Sequence, residues 1–118
     1  MISSYTVGIY PRSEELIDAT RKNTKNLSSL YLAGKKEYIA IQKKAKLGYV
    51  CDPLLDWDDI FRPFSKLKSV KLEALNRVYE TNTFYRKLSF DGDLSDAGNI
   101  IRSNLAVSLL PKNRAACI

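Results

Sequence analysis

The chain contains no histidine. That absence excludes nucleophile–histidine pairs and the imidazole ligands on which most catalytic zinc sites depend. Only two cysteines are present, Cys51 and Cys117. They lie far apart in apolar surroundings, and two thiolates alone do not fill the tetrahedral shell of zinc, so each reads as a small buried hydrophobe. The five glycines form no phosphate-cradling loop, and no Cys/His finger or Gly-aromatic signature of a single-strand RNA binder occurs. No apolar run approaches the roughly 18 residues of a membrane-spanning helix, and the opening MISSYTVGIYPR lacks the regions of a secretion signal. A cytoplasmic protein with no membrane partner is therefore expected, and an enzyme acting alone is the least supported reading.

What the chain does contain is the makeup of one globular domain: 118 residues, 45% hydrophobic and 27% charged. Its net charge is +6, and much of the excess is local. Arg21, Lys22, Lys25, Lys35, Lys36, Lys43, Lys44 and Lys46 face a single acid, Glu37, in that span. Such a patch reads first as a solvated helix face. It also suits an anionic small ligand or subunit, and more remotely a nucleic acid, which is not the expected partner.

Periodicity divides the chain. SYTVGIY at 4–10 alternates like a strand and is stopped by PRS. Ser13 is placed to cap a helix whose first turn carries Glu14 and Glu15, where the helix dipole favours acid. A second helix is expected over KKEYIAIQKKAKL, ending at Gly48. YVCDPLL at 49–55 reads as a buried strand, and Asp56 is placed to cap one or two turns before Pro63. SVKLEALNRVY sets Leu72, Leu75, Val78 and Tyr79 on one helical face. YETNTFYRKL reads as a third strand with polar ends, FDGDL as a loop, and Ser95 as the cap of a helix carrying Ile100, Ile101 and Leu105. PKN then breaks the chain, and RAACI reads as the start of a fourth strand. Strands alternating with helices predict an α/β fold with parallel strands, as an open sheet or a barrel.

Three segments in order, TVGIYPR, GYVCDPLLDWDDIFRPF and VYETNTFYR, resemble the amino-terminal domain of cobalamin-independent methionine synthase, closest to its archaeal-type members. The resemblance covers essentially the whole chain. It implies a partial (β/α)8 TIM-type barrel spanning 1–118, about the first half of the cylinder with three to four parallel strands. The Gly-Pro motif that would follow the fourth strand is missing, so the chain is expected to be a truncated product, a fragment or one piece of an assembly. The family moves a methyl group from 5-methyltetrahydrofolate, usually as its polyglutamate, to homocysteine. In the family the zinc sits in a separate carboxy-terminal catalytic barrel, so no cofactor or metal is expected on this chain, and it is expected to be inactive alone.

Functional groups in such barrels gather at the carboxyl ends of the strands. The candidates there are Tyr10, Pro11 and Arg12 after the first strand, Asp52 to Asp56 after the second, and Tyr85 and Arg86 toward the end of the third. By resemblance, Arg12, Glu15 and Leu16 fall at the folate-contacting segment, where the family's Arg-Arg-Glu-Leu is matched only by Glu15 and Leu16. Arg77 takes the place of a lysine ahead of the third strand and is positioned to meet a glutamate tail. Local explanations stand beside these roles. Arg12 and Arg86 equally suit pairing with Asp52, Asp56 or Asp58, Asn82 suits satisfying nearby backbone, and Trp57, Phe61 and Phe64 suit a core. Two other functions are compatible with the sequence: a non-catalytic docking or regulatory partner of a separate catalytic subunit, and a small basic nucleic-acid binder.

Overall fold

The computed structural model describes residues 2–111. RAACI and Cys117 lie outside them. The chain forms two compact units, the first built from residues up to Asp56 together with those from Ala106 onward, the second from Trp57–Leu105.

In the first unit, α1 (Glu14–Lys22) begins as its sequence dictates: the Leu16 N–H donates to Ser13 Oγ at 3.3 Å, and Glu14 and Glu15 occupy the first turn. It ends at Asn23 in the left-handed conformation, which asparagine tolerates. The second helix, α2 (Leu27–Lys44), is longer than expected because it runs through Gly34. A single glycine weakens a helix without ending it, and this one has a packing reason. A Cβ built on Gly34 would stand 2.8 Å from Leu55 Cδ1, so the missing side chain admits Leu55. Ile39, Val50 and Leu110 form a buried cluster, joined by Leu109.

Neither of the expected strands at 4–10 and 49–55 becomes a regular strand. The two segments run side by side in the same direction, tied by Tyr49 N–H to Ser4 O at 3.2 Å and Tyr10 N–H to Pro53 O at 2.9 Å. Their ladder fails for identifiable reasons. Pro53 has no N–H to give, and Gly8 and Leu54 sit at φ 91° and 53°, outside the extended region. A side chain also takes the place of a neighbouring strand. Gln42 Nε2 donates to Cys51 O at 2.7 Å, while Gln42 Oε1 accepts from Cys51 N–H at 2.9 Å.

In the second unit, a single antiparallel sheet joins β1 (Val70–Arg77) to β2 (Phe84–Phe90), and it is the sole sheet among the described residues. This overturns the expectation of a partial TIM-type barrel. The expected third strand exists, but its partner is antiparallel and is the very segment whose apolar spacing predicts a helix. Leu72 and Leu75 recur at helical spacing, yet they lie half-exposed in a strand with a bulge between them. The bulge inserts an extra residue and disguises the period-two pattern. Thr81 and Asn82 belong to the turn, which Val78 N–H closes on Thr83 O at 2.8 Å with Tyr79 left-handed at φ 52°.

A 3-10 turn, Arg62–Lys66, precedes β1, with Pro63 in its first residues. Proline starts this turn rather than ending one, because a first-turn N–H has no partner to lose. The last helix of the unit, α3 (Ala97–Asn104), is preceded by Asp96 without a side-chain cap. Ser95, the expected cap, bonds to Asp93 instead.

Candidate functional site

Arg12, Glu15 and Leu16, three of the four residues expected to contact folate, line one cavity of about 370 Å³ in the first unit. Their meeting follows from local sequence. Proline and serine bracket Arg12, and the cap at Ser13 turns the next residues into helix. Arg12 is fixed by Nε donating to Leu55 O at 2.6 Å, and its guanidinium lies 5.7 Å from the centre of the Tyr31 ring. Thr20 Oγ1 donates to Leu16 O at 2.7 Å and lies 3.3 Å from Tyr31 Oη, which ties α1 to α2 beside the cavity.

The opposite wall comes from α2, through Leu30, Gly34, Tyr38 and Ile41. Tyr10 stacks on Tyr38, with ring centres 3.8 Å apart and planes tilted by 32°. Tyr38 is 8% exposed, whereas Tyr10 is 41% exposed at the cavity mouth. Glu37 also lines the space. Sequence reading placed Tyr10 with Arg12 at the end of the first expected strand but passed over Tyr38 and Glu37 as site residues. Their only signal is helical spacing, since 30, 34, 38 and 41 share a face of α2.

Asp52 and Asp56 stand elsewhere in the first unit, around a cation that the sequence presents as part of a surface patch. Lys35 is buried, with Nζ 2.7 Å from Asp56 and 3.6 Å from Asp52. Asp52 is also buried, and it accepts the N–H groups of Leu54 at 2.8 Å and Ala106 at 2.5 Å. The group holds together three stretches of backbone. A buried carboxylate needs such donors because desolvation penalises the bare charge.

The remaining candidates belong to the second unit. Arg77 Nη2 donates to Asn82 Oδ1 at 3.2 Å, and its guanidinium lies 5.7 Å from the Phe84 ring centre. Arg86 donates through Nη1 to Glu73 O at 3.0 Å and through its backbone N–H to Asp59 Oδ2 at 3.3 Å. Tyr85 packs on Phe61, with centres 5.6 Å apart. Asp59, unremarked in the sequence, is buried and accepts from Phe61 N–H at 2.8 Å as well. Trp57 is buried as expected, while Phe61 is partly exposed.

Among the described residues no group of three or more His, Cys, Asp or Glu side chains is placed to hold a metal ion. No described helix is long and apolar enough to cross a membrane. Cys51 is buried and unpaired. No family profile, curated protein or solved structure matches this chain.

Proposed function

We propose that this chain is the methyl-donor side of a cobalamin-independent methionine-synthase-like methyltransferase, working with a separate zinc-bearing catalytic domain or subunit. The reading begins from the three sequence segments that resemble that family. The observation that carries it further is the common cavity of Arg12, Glu15 and Leu16, the residues for which the resemblance implies folate contact. A cavity of about 370 Å³ falls within the range of about 300–1,000 Å³ usual for small-molecule sites. Its walls are apolar and aromatic with a few charged groups, which is the general makeup of such sites.

In this scheme methyl passes from N5 of the folate to the sulfur of homocysteine, leaving tetrahydrofolate and methionine. Zinc would lower the thiol pKa and keep the sulfur nucleophilic. In this reading the metal belongs to the separate catalytic domain or subunit. The part of the residues described here is to bind the donor. Arg12 holds the Leu55 carbonyl and Leu16 closes the floor, while α2 closes the far wall.

Calorimetric titration of the purified chain with 5-methyltetrahydropteroyltriglutamate tests the reading. Saturable binding is expected, abolished by Leu30→Trp, which fills the cavity from α2; circular dichroism checks that the variant is folded. Methyl transfer to homocysteine is expected only after the zinc-bearing chain is added. Absence of saturable donor binding by the folded wild-type chain would overturn the assignment.

A further inference from the structure

The hairpin of β1 and β2 has two unlike faces. Cross-strand register sets Leu72 opposite Leu88, Leu75 opposite Arg86 and Arg77 opposite Phe84 on one of them, with Phe90 opposite Val70 at its base. Lys71, Glu73, Asn76, Tyr85, Lys87 and Ser89 belong to the other, because side chains alternate along a strand and the bulge resets the count between Leu72 and Leu75. That polar face finds partners within the second unit. Lys87 pairs with Glu73 at 3.7 Å, and Tyr85 packs on Phe61. The apolar face is left uncovered, with Leu72, Leu75, Phe84 and Phe90 all about half exposed. Its two charged residues reach neutral oxygens alone: Arg77 bonds to Asn82 Oδ1 and Arg86 to the Glu73 carbonyl. Neither guanidinium meets a carboxylate among the described residues.

A two-stranded hairpin is marginal in water unless something packs on its face, and a contiguous exposed apolar row marks a contact surface. Charge decides between occupants. A second copy laid on this face by the same face supplies further arginines and no carboxylate to meet them, which costs affinity. A partner that brings carboxylates gains charge-assisted, bidentate bonds to Arg77 and Arg86 while its apolar residues cover the leucines and phenylalanines. Shape favours a helix. Two strands about 4.8 Å apart, with their side chains, match a helix about 10 Å wide. The eight residues of β1 span roughly 26 Å, the length of a helix of about 18 residues.

We propose that this face of the hairpin docks an acidic amphipathic helix of another protein. The apolar stripe of that helix covers Leu72, Leu75, Phe84 and Phe90, and the acids flanking the stripe bind Arg77 and Arg86 beside the turn. The contact lies in the second unit and does not depend on the methyl-donor reading.

Fluorescence anisotropy with the full chain tests it, using two labelled synthetic helical peptides of about 18 residues. Both carry the same leucine stripe, flanked by glutamate in one and by lysine in the other. Saturable binding is expected for the glutamate peptide and not for the lysine peptide. Arg77→Glu and Phe84→Thr are each expected to weaken it about tenfold. Lys71→Glu makes the same change in net charge on the polar face and is expected to leave it unchanged. Circular dichroism checks that each variant is folded. No saturable binding of the glutamate peptide overturns the proposal, as does equal binding of both peptides or equal loss in Arg77→Glu and Lys71→Glu. Sedimentation equilibrium showing a dimer that Phe84→Thr dissociates also overturns it, by assigning the face to a second copy.

Discussion

Gln42 grips Cys51 by both of its backbone groups, with Nε2 2.7 Å from the carbonyl oxygen and Oε1 2.9 Å from the amide nitrogen. All of these atoms are buried, and Gln42 is 1% exposed. A buried peptide group left without a partner costs about 1–3 kcal/mol. Gln42→Leu keeps the volume and orphans both the N–H and the C=O of Cys51. It is expected to destabilise the protein by about 2–4 kcal/mol. A lowered urea midpoint with unchanged slope would show the loss as one of stability alone. A midpoint within error of wild type would contradict the strand-mimic role.

The Lys35 cluster makes a graded prediction. Asp52 is buried and holds two backbone N–H groups besides the lysine, whereas the Asp56 side chain is 33% exposed. Breaking a buried pair by removing one partner costs about 3–5 kcal/mol. Asp52→Ala is expected to reach that range, while Asp56→Ala, whose site admits water, costs about 1 kcal/mol. Thermal unfolding of the two variants tests the ranking, and equal losses would refute it. Lys35→Met, which removes the charge but keeps the stem, is expected to cost less than Asp52→Ala.

Tyr79 adopts φ 52° at the hairpin turn with 89% of its surface exposed, so it meets the left-handed penalty without compensating burial. Asparagine tolerates that region better. Tyr79→Asn is therefore expected to stabilise the protein by up to about 1 kcal/mol. Denaturant titration checks the sign, and a destabilised variant would mean that the Tyr79 ring makes a contact that matters.

Asp93 titrates below its ordinary value of 3.8, chiefly because the Ser95 hydroxyl donates to its carboxylate, and next because the Ser95 backbone N–H does so. A carboxyl whose pKa is depressed on folding adds stability that is present above the unfolded value and lost as pH falls through the folded one. The group is exposed, so the contribution is small. A carbon-detected NMR titration is expected to place Asp93 below 3.8, and Ser95→Ala is expected to move it back part of the way, since the backbone bond survives.

What was legible in the chain was local. Ser13 followed by two glutamates and an apolar side specified α1, and the same contiguity brought Arg12, Glu15 and Leu16 to one cavity. The far wall was harder to read, because Tyr38 and Glu37 look like any two residues of a lysine-rich helix until the packing of α2 selects their face. Lys35 shows the same difficulty. Its neighbours in sequence place it in a surface patch, and only the acids at 52 and 56 explain its burial.

The strands show where sequence pattern misleads. β2 was recognisable from its aromatic content, but nothing within it says whether its partner is parallel or antiparallel. That choice depended on the segment before the turn, whose bulge hides its alternation. The alternation of expected strands and helices supplied the parallel answer, which the likeness to a barrel family repeated, and the antiparallel pairing at 70–90 corrects it.

The sequence by itself determined the start of α1 and the clustering of residues near one another in the chain, because caps and helical faces are set by interactions within a few residues. The tertiary structure alone decided strand partnership, the burial of Lys35 and Gln42, and the closing wall of the cavity. Those depend on contacts between residues far apart in the chain, whose free energies exist only once both partners have been brought together.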